Sequence, residues 1–417
     1  MLVHRPFVGA LPYGVRDLFL EEAAKLSSLE DTWRGLFEAW AYQRVIPPTY
    51  EHYDVLLAGS GLELEEQVFR VLDREGNILA LRSDLTTQVA RIVATKLADQ
   101  PLPLRFYYLA NVFRYAEPQA GREREFRQAG VELVGAAGTE ADAEVLSLTI
   151  EALQRASLRD FQLNVGHLGL FRALAAEAGL TGAPLEQVRQ ALNRKDPEGL
   201  AEAIAGTGVA EPIALALQRL PSLCGGPQIL EEASHLSAHP AAQAAVERLR
   251  AIHQTLERRG QAERVIFDLG ETRGMGYYTG IAFEGFTPGL GFPICSGGRY
   301  DGLIGHYGVA RPAVGVALLT ERVLLAVNGT LVACGGPDIL IAAEVVREQW
   351  HRVEHLRQQG WRVEADVLDR GEADLRALAT QRRIPYLVLA ASGQEVRLVH
   401  AGRERWLSWD ALEEMPR

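Results

Sequence analysis

Residues 105–135, RFYYLANVFRYAEPQAGREREFRQAGVELVG, restrict this chain more than any other stretch. They read as two long strands joined by a polar turn. Aromatic and β-branched residues flank the turn, and Pro118 and Gly121 punctuate it. Side chains two apart on a strand share a face. Gln128, Gly130 and Glu132 therefore line one face of the second strand, and Ala129, Val131 and Leu133 line the other. The first face carries an amide, a missing side chain and a carboxylate, beside Arg114 on the first strand. Such a set suits a small zwitterion: the amide and carboxylate hold polar or cationic groups, the arginine an anionic one, and the glycine leaves room. The alternation fits a hairpin with one solvated face equally well.

A chain of 417 residues predicts two or three domains, and 47% hydrophobic content supplies a large core. No apolar run reaches 18 residues, so no transmembrane helix is expected, and the N-terminus lacks the apolar segment of a signal peptide. Cys224, Cys295 and Cys334 are scattered, form no metal spacing, and point to a reducing, cytoplasmic setting. The formal charge of −11 argues against a bulk nucleic-acid surface.

Residues 16–43 predict an amphipathic helix carrying Leu26, Leu29, Trp33 and Phe37. The next segment, YQRVIPPTYE, predicts a short strand that Pro47 and Pro48 confine to an edge or an interface. A strand at 78–82 runs into Ser83 and Asp84, both N-cap types, and then a helix with Leu85, Val89, Ile92, Val93 and Leu97 on one face. Asp84 caps that helix or turns its carboxylate into a site. Residues 170–260 predict a helical insertion. VIFDLG, YYTGIAFEGF and VGVALL return to sheet, with the glycine-dense GFTPGLGFPICSGGRYDG between the last two as a loop, either against a ligand or of ordinary turns. The expected boundary lies near 328–337, giving a core over 1–328 and a small α/β domain over 332–417. That domain contains arginine but no lysine and is slightly acidic. His167 reads as a packed core histidine, and Asp268 and Glu271 as turn or site carboxylates. Arg122, Arg124 and Arg127 read as residues of a solvated turn or a contact. No nucleophile arrangement or metal-ligand spacing is present.

Five segments, in order, resemble the class II histidyl-tRNA synthetase family. AYQRVIPPTYE is similar to its motif 1, which lies at a dimer interface, FRYAEPQAGREREFRQAGVELVG to motif 2, and VGVALLTERVLL to motif 3. TRGMGYYTGIAFE resembles its histidine-specific RGLDYYTGTVFE, and LRSDLT stands where the family has LRPEGT. The resemblance implies an α+β fold: an antiparallel sheet core flanked by helices, a helical insertion and a small C-terminal α/β domain. It also implies histidine binding by Asp84, Leu85, Thr86, Arg114, Gln128, Glu132, Arg273, Tyr277 and Tyr278. Arg114 and Arg322 match arginines that handle ATP in the synthetases, which leaves nucleotide binding open.

Departures matter as much. Asp84 replaces the family's glutamate, shortening the reach of the carboxylate by roughly one C–C bond, about 1.5 Å. Met275-Gly276 replaces Leu-Asp. LPYGVRDLF, LRSDLTTQVARI, GHLGLFRAL, LNRKDPEGL and GFTPGLGFPICSGGRYDGL resemble a paralogous family, the regulatory subunits of ATP phosphoribosyltransferase. This second resemblance implies a non-catalytic subunit without cofactor. Its expected partners are a short catalytic subunit, which starts histidine biosynthesis, and L-histidine, which it senses. A homodimer core inside a larger hetero-oligomer is expected, with neither membrane nor nucleic acid. The alternative is a histidine–tRNA ligase. Many such subunits lack a C-terminal domain, whereas this chain has one.

Overall fold

Strong alternation dictates a sheet, and a nine-stranded sheet organises the larger part of the protein. The structure, a computed structural model, describes residues 9–59, 67–115, 123–272, 274, 276–327 and 336–416. Two compact units result: one takes in residues 9–18 and 26–327, the other Phe19–Lys25 and 336–416.

In the first unit the strands are β1 (Gln43–Arg44), β2 (Tyr50–His52), β3 (Arg70–Leu72), β4 (Ile78–Leu81), β5 (Leu104–Phe113), β6 (Glu125–Val134), β7 (Gln162–His167), β8 (Cys224–Gly225), β9 (Val265–Asp268), β10 (Ile281–Phe286), β11 (Cys295–Arg299) and β12 (Ala313–Leu319). The large sheet runs β1-β5-β6-β12-β11-β10-β7-β9-β8, and β2-β4-β3 form a separate small sheet. Within the large sheet only β1/β5 and β7/β9 are parallel. β5 and β6 pair without a break from Leu104↔Val134 to Phe113↔Glu125. Their connecting turn, with Pro118, Gly121 and Arg122, lies outside the described residues.

Each face of the sheet buries its own core. On one side Ala129, Val131 and Leu133 pack with Leu29, Trp33 and Phe37 of α1 (Leu20–Ala39) and with α4 (Thr139–Arg155). On the other, Phe106 and Tyr108 pack with Leu85, Val89 and Val93 along α3 (Thr86–Lys96). The neighbours Tyr107 and Tyr108 thus enter opposite cores, as a two-residue strand period requires. Helix α2 (Tyr53–Gly59) packs beside the small sheet. α1 stops short of the predicted residue 43 because Ala41 takes a left-handed φ of 61°. Bonds from the Ala41 amide to Glu38 and from the Tyr42 amide to Phe37 then close the helix end.

Residues 168–258 are six helices joined by short connections, with a 3-10 turn at Leu220–Ser222 and the short strand β8 between the fourth and fifth. They form α5 (Leu168–Glu177), α6 (Gly182–Arg194), α7 (Pro197–Ala205), α8 (Glu211–Arg219), α9 (Ile229–Ser234) and α10 (Pro240–Arg258). Asp196 caps α7, accepting from the Gly199 amide at 2.9 Å ahead of Pro197. Leu174, Val188, Leu200, Leu217 and Leu249 share the core of the sheet, so this region has no separate interior.

The glycine-dense segment before residue 300 departs from the expected loop. Cys295–Arg299 is a central strand, paired with β10 and β12. Its glycines answer a packing demand: a Cβ at Gly297 would stand 2.5 Å from the Gly315 carbonyl and the Phe283 ring, and one at Gly298 2.7 Å from the Tyr278 ring. Residues 277–280, read as strand, form a turn before β10. α11 (Thr320–Val327) closes the first unit.

In the second unit, β13 (Ile339–Ile341), β14 (Val363–Ala365), β15 (Tyr386–Ser392), β16 (Glu395–His400) and β17 (Arg403–Ser408) make a sheet of order β14-β13-β15-β16-β17. Its first three strands are parallel and its last two antiparallel. Helices α12 (Ala343–Glu348), α13 (Trp350–Gln358), α14 (Glu372–Gln381) and α15 (Trp409–Glu413) complete it around Val353, Leu375, Val388 and Trp409.

Candidate functional site

The β5–β6 alternation turns Glu132 and Gln128 toward α3, yet neither meets water: they are 1% and 2% exposed. The hairpin face is therefore not a solvated one. Tyr108, on the neighbouring strand, donates to Glu132 Oε1 at 3.2 Å, and Tyr300, one residue beyond β11, donates to Oε2. The Thr86 hydroxyl lies against Glu132, Tyr108 and Tyr277. Two glycines make the space: a Cβ at Gly130 would stand 2.5 Å from the Tyr108 ring, and one at Gly315 would collide with Glu132 Oε2. The Tyr277 ring lies 5.4 Å from Tyr300 and 4.9 Å from Tyr278.

A carboxylate needs strong compensation to stay charged in such a place. Burial pushes the Glu132 carboxyl up to about 7, against hydrogen bonds from Tyr300, Thr86 and Tyr108 that lower it, while the negative charge of Asp84 adds to the rise. The folded chain thus keeps a proton that the unfolded chain releases from 4.5 upward, so this group's contribution to stability is complete below 4.5 and is lost as pH rises to about 7. Glu132→Gln cannot ionise. It is expected to gain on the wild type across that window, by up to about 3 kcal/mol. Urea denaturation at both ends of the window measures the gap, and a gap independent of pH would contradict the assignment.

Gln128 is buried, and its Oε1 accepts no hydrogen bond among the described residues. An unpaired buried acceptor costs about 1–3 kcal/mol, which a ligand N–H would recover. Asp84 Oδ1 accepts from the Thr87 amide at 3.2 Å at the start of α3. The same carboxylate acts electrostatically on Glu132, Tyr277, Tyr278 and Arg114, so its capping role leaves it beside that cluster. Leu85, wholly buried, seats the helix start in the core. Arg114 follows β5, gives its Nε to the Ser83 carbonyl at 2.8 Å, and lies 5.3 Å over Phe126.

Arg322, on α11, donates to the Pro293 carbonyl at 2.8 Å and lies 4.8 Å over Phe292. Arg273 and Met275 lie outside the described residues. Arg127 reaches Glu30 and Asn111 from within β6, while its amide meets the Glu321 carboxylate. Arg124 stacks at 4.3 Å over Tyr115. His167 caps α5 by accepting from the Gly169 amide at 3.1 Å, and burial, with arginines nearby, pushes its ring down to about 4. It is a neutral capping histidine. Asp268 ends β9 paired with Lys195 at 2.8 Å.

Tyr108 and Tyr300 escaped the sequence reading. Tyr108 stands opposite Gly130 in register, a pairing that becomes visible only once the strands are aligned. Tyr300 sat in the segment read as loop. Among the described residues no group of acidic, histidine or cysteine side chains could hold a metal ion, and no helix is long and apolar enough to cross a membrane.

Comparison with known proteins fits this geometry. The histidyl-tRNA synthetase family model matches residues 14–323. The ATP phosphoribosyltransferase regulatory subunit of Syntrophotalea carbinolica is 37% identical over 419 residues, covering 96% of each chain, so its length matches this one through the C-terminal unit. That of Moorella thermoacetica is 40% identical over 89% of this chain and 96% of its own. An ATP phosphoribosyltransferase regulatory subunit/histidyl-tRNA synthetase from Bacillus halodurans C has a solved structure that aligns with a TM-score of 0.82 at 32% identity, over 93% of this chain and 100% of that one. The histidyl-tRNA synthetase of Nostoc sp. PCC 7120, with a TM-score of 0.83 at 21% identity over 97% and 98% of the two chains, shares the fold. On this similarity, the chain belongs to the ATP phosphoribosyltransferase regulatory subunit family, built on the class II histidyl-tRNA synthetase fold.

Proposed function

We propose that the chain is the non-catalytic regulatory subunit of ATP phosphoribosyltransferase and that it senses L-histidine in the Glu132 pocket. One observation carries the histidine reading: a buried carboxylate ringed by tyrosines, with the unpaired Gln128 amide oxygen four residues along the same strand face. Four residues of strand span about 13 Å. An amino acid with a nitrogen heterocycle can bridge that span, its ring N–H on Glu132 and its ammonium toward Gln128 and Asp84. The Asp84 carboxylate is short and already receives the Thr87 amide, which favours a water between it and the ammonium. Thr86, Tyr277 and Tyr278 enclose the ring, Leu85 backs the helix start, and Arg114 and Arg273 are the arginines available to the ligand carboxylate or to a nucleotide, with Arg322 as a second nucleotide arginine.

The partner is a short catalytic chain, met by a homodimer of this protein within a larger hetero-oligomer. The dimer is proposed at the β1 edge, where the carbonyls of Pro47 and Pro48 are turned out of the ladder and taken by Arg82 and Gln88. Reconstitution tests the reading. Adding this chain to the short catalytic subunit should raise phosphoribosyl transfer to ATP, and histidine should then inhibit it. A catalytic subunit whose rate and histidine response are unchanged by this chain would refute it.

A further inference from the structure

The segment that delivers Tyr277 and Tyr278 is gripped at both ends by the helical insertion. Upstream, the buried Asp268 carboxylate takes Lys195 Nζ at 2.8 Å, and the Leu269 amide donates to the Leu223 carbonyl at 3.0 Å. Thr272, wholly buried, donates its hydroxyl to Asn193 Oδ1 on α6. Downstream, Arg172 Nη2 on α5 donates to the Tyr278 carbonyl at 2.7 Å. The grip is tied to the end of the helix itself: Lys195 ends α6 in a left-handed conformation, φ 50°.

At the pocket end there is little slack. A Cβ at Gly274 would stand 2.8 Å from the Tyr278 ring and one at Gly298 2.7 Å from it, so that ring is wedged between two backbones. Packed elements of this kind shift between discrete arrangements and do not deform smoothly. A displacement of the tyrosines by ligand would bear directly on the Arg172 contact at the Tyr278 carbonyl and, along the chain, on the contacts that hold residues 268–272.

We propose that the insertion is a positioning element for the pocket: Lys195, Asn193 and Arg172 set the placement of Tyr277 and Tyr278, and occupancy of the pocket is transmitted back to α6 through the same contacts. This rests on the reading of the pocket as a histidine site. Coupling of this sort is reciprocal: if histidine tightens the grip, loosening the grip weakens histidine binding.

Hydrogen exchange of the full-length chain, with and without L-histidine, tests it together with calorimetry on two variants. Histidine should slow amide exchange over residues 182–196 in the wild type and leave α14 unchanged. Lys195→Met should weaken histidine binding about fivefold or more, the scale of a typical coupling, and Lys195→Arg should restore it. The exchange measurement stands alone if Lys195→Met fails to fold. Histidine binding without slowed exchange over α6, or with full affinity in a folded Lys195→Met, overturns the inference and leaves the pocket intact. A wild type that binds no histidine overturns both.

Discussion

Glu132→Gln is expected to lower histidine affinity ten- to a hundredfold, measured by calorimetry above pH 7, where the wild-type carboxyl is ionised. Tyr108 and Tyr300 already donate to this carboxylate, so it faces the pocket as an acceptor whose orientation is fixed. The amide offers one acceptor oxygen and turns an N–H toward groups that themselves donate. Replacing a charge-assisted hydrogen bond in this way costs roughly 1.5–3 kcal/mol, which is the stated range in affinity. Arg273→Ala is the companion test. If both variants bind histidine as the wild type does, the pocket is a relic and feedback must act elsewhere, such as at the contact with the catalytic subunit.

The largest effect on stability is expected from Asp142→Ala. Asp142 is fully buried on α4, with Arg299 Nε at 2.8 Å on one oxygen and Arg248 Nε at 2.6 Å on the other. Arg299 is itself buried, its other supports being the Ala136 carbonyl and Asp301. Removing the carboxylate leaves a buried guanidinium without its main counter-charge, a loss of about 3–5 kcal/mol. The consequence should reach the pocket, because the Arg299 carbonyl accepts from the Thr279 amide at 2.6 Å, one residue after Tyr278. Chemical denaturation reads the loss, and a change below about 1 kcal/mol would show the cluster to be dispensable.

What the sequence discloses and what it hides divide along physical lines. Period-two alternation identifies the Gln128–Glu132 face without a structure, because a one-residue slip would bury the wrong side chains. Cap chemistry likewise places the start of α3 just after Asp84. It does not reveal that the same carboxylate acts on the pocket, because that depends on where α3 lies against the sheet. Tyr107 and Tyr108 look alike in sequence; alternation sends them to opposite faces, and only strand register says which of them meets Glu132. Gly297 and Gly298 look like loop glycines. They are strand glycines under the Phe283 and Tyr278 rings, a demand of close packing that no local pattern encodes. The grip of the insertion on residues 268–272 joins positions 73 and 79 residues apart in sequence and has no local signature.

On the proposed reading, this chain binds histidine in order to report it, not to activate it. Histidine-dependent exchange of pyrophosphate into ATP, measured on the purified full-length protein, tests this most directly. No exchange above the histidine-free rate is expected at histidine concentrations that calorimetry shows to be saturating. Robust exchange would make the chain a histidine-activating enzyme and overturn the regulatory reading.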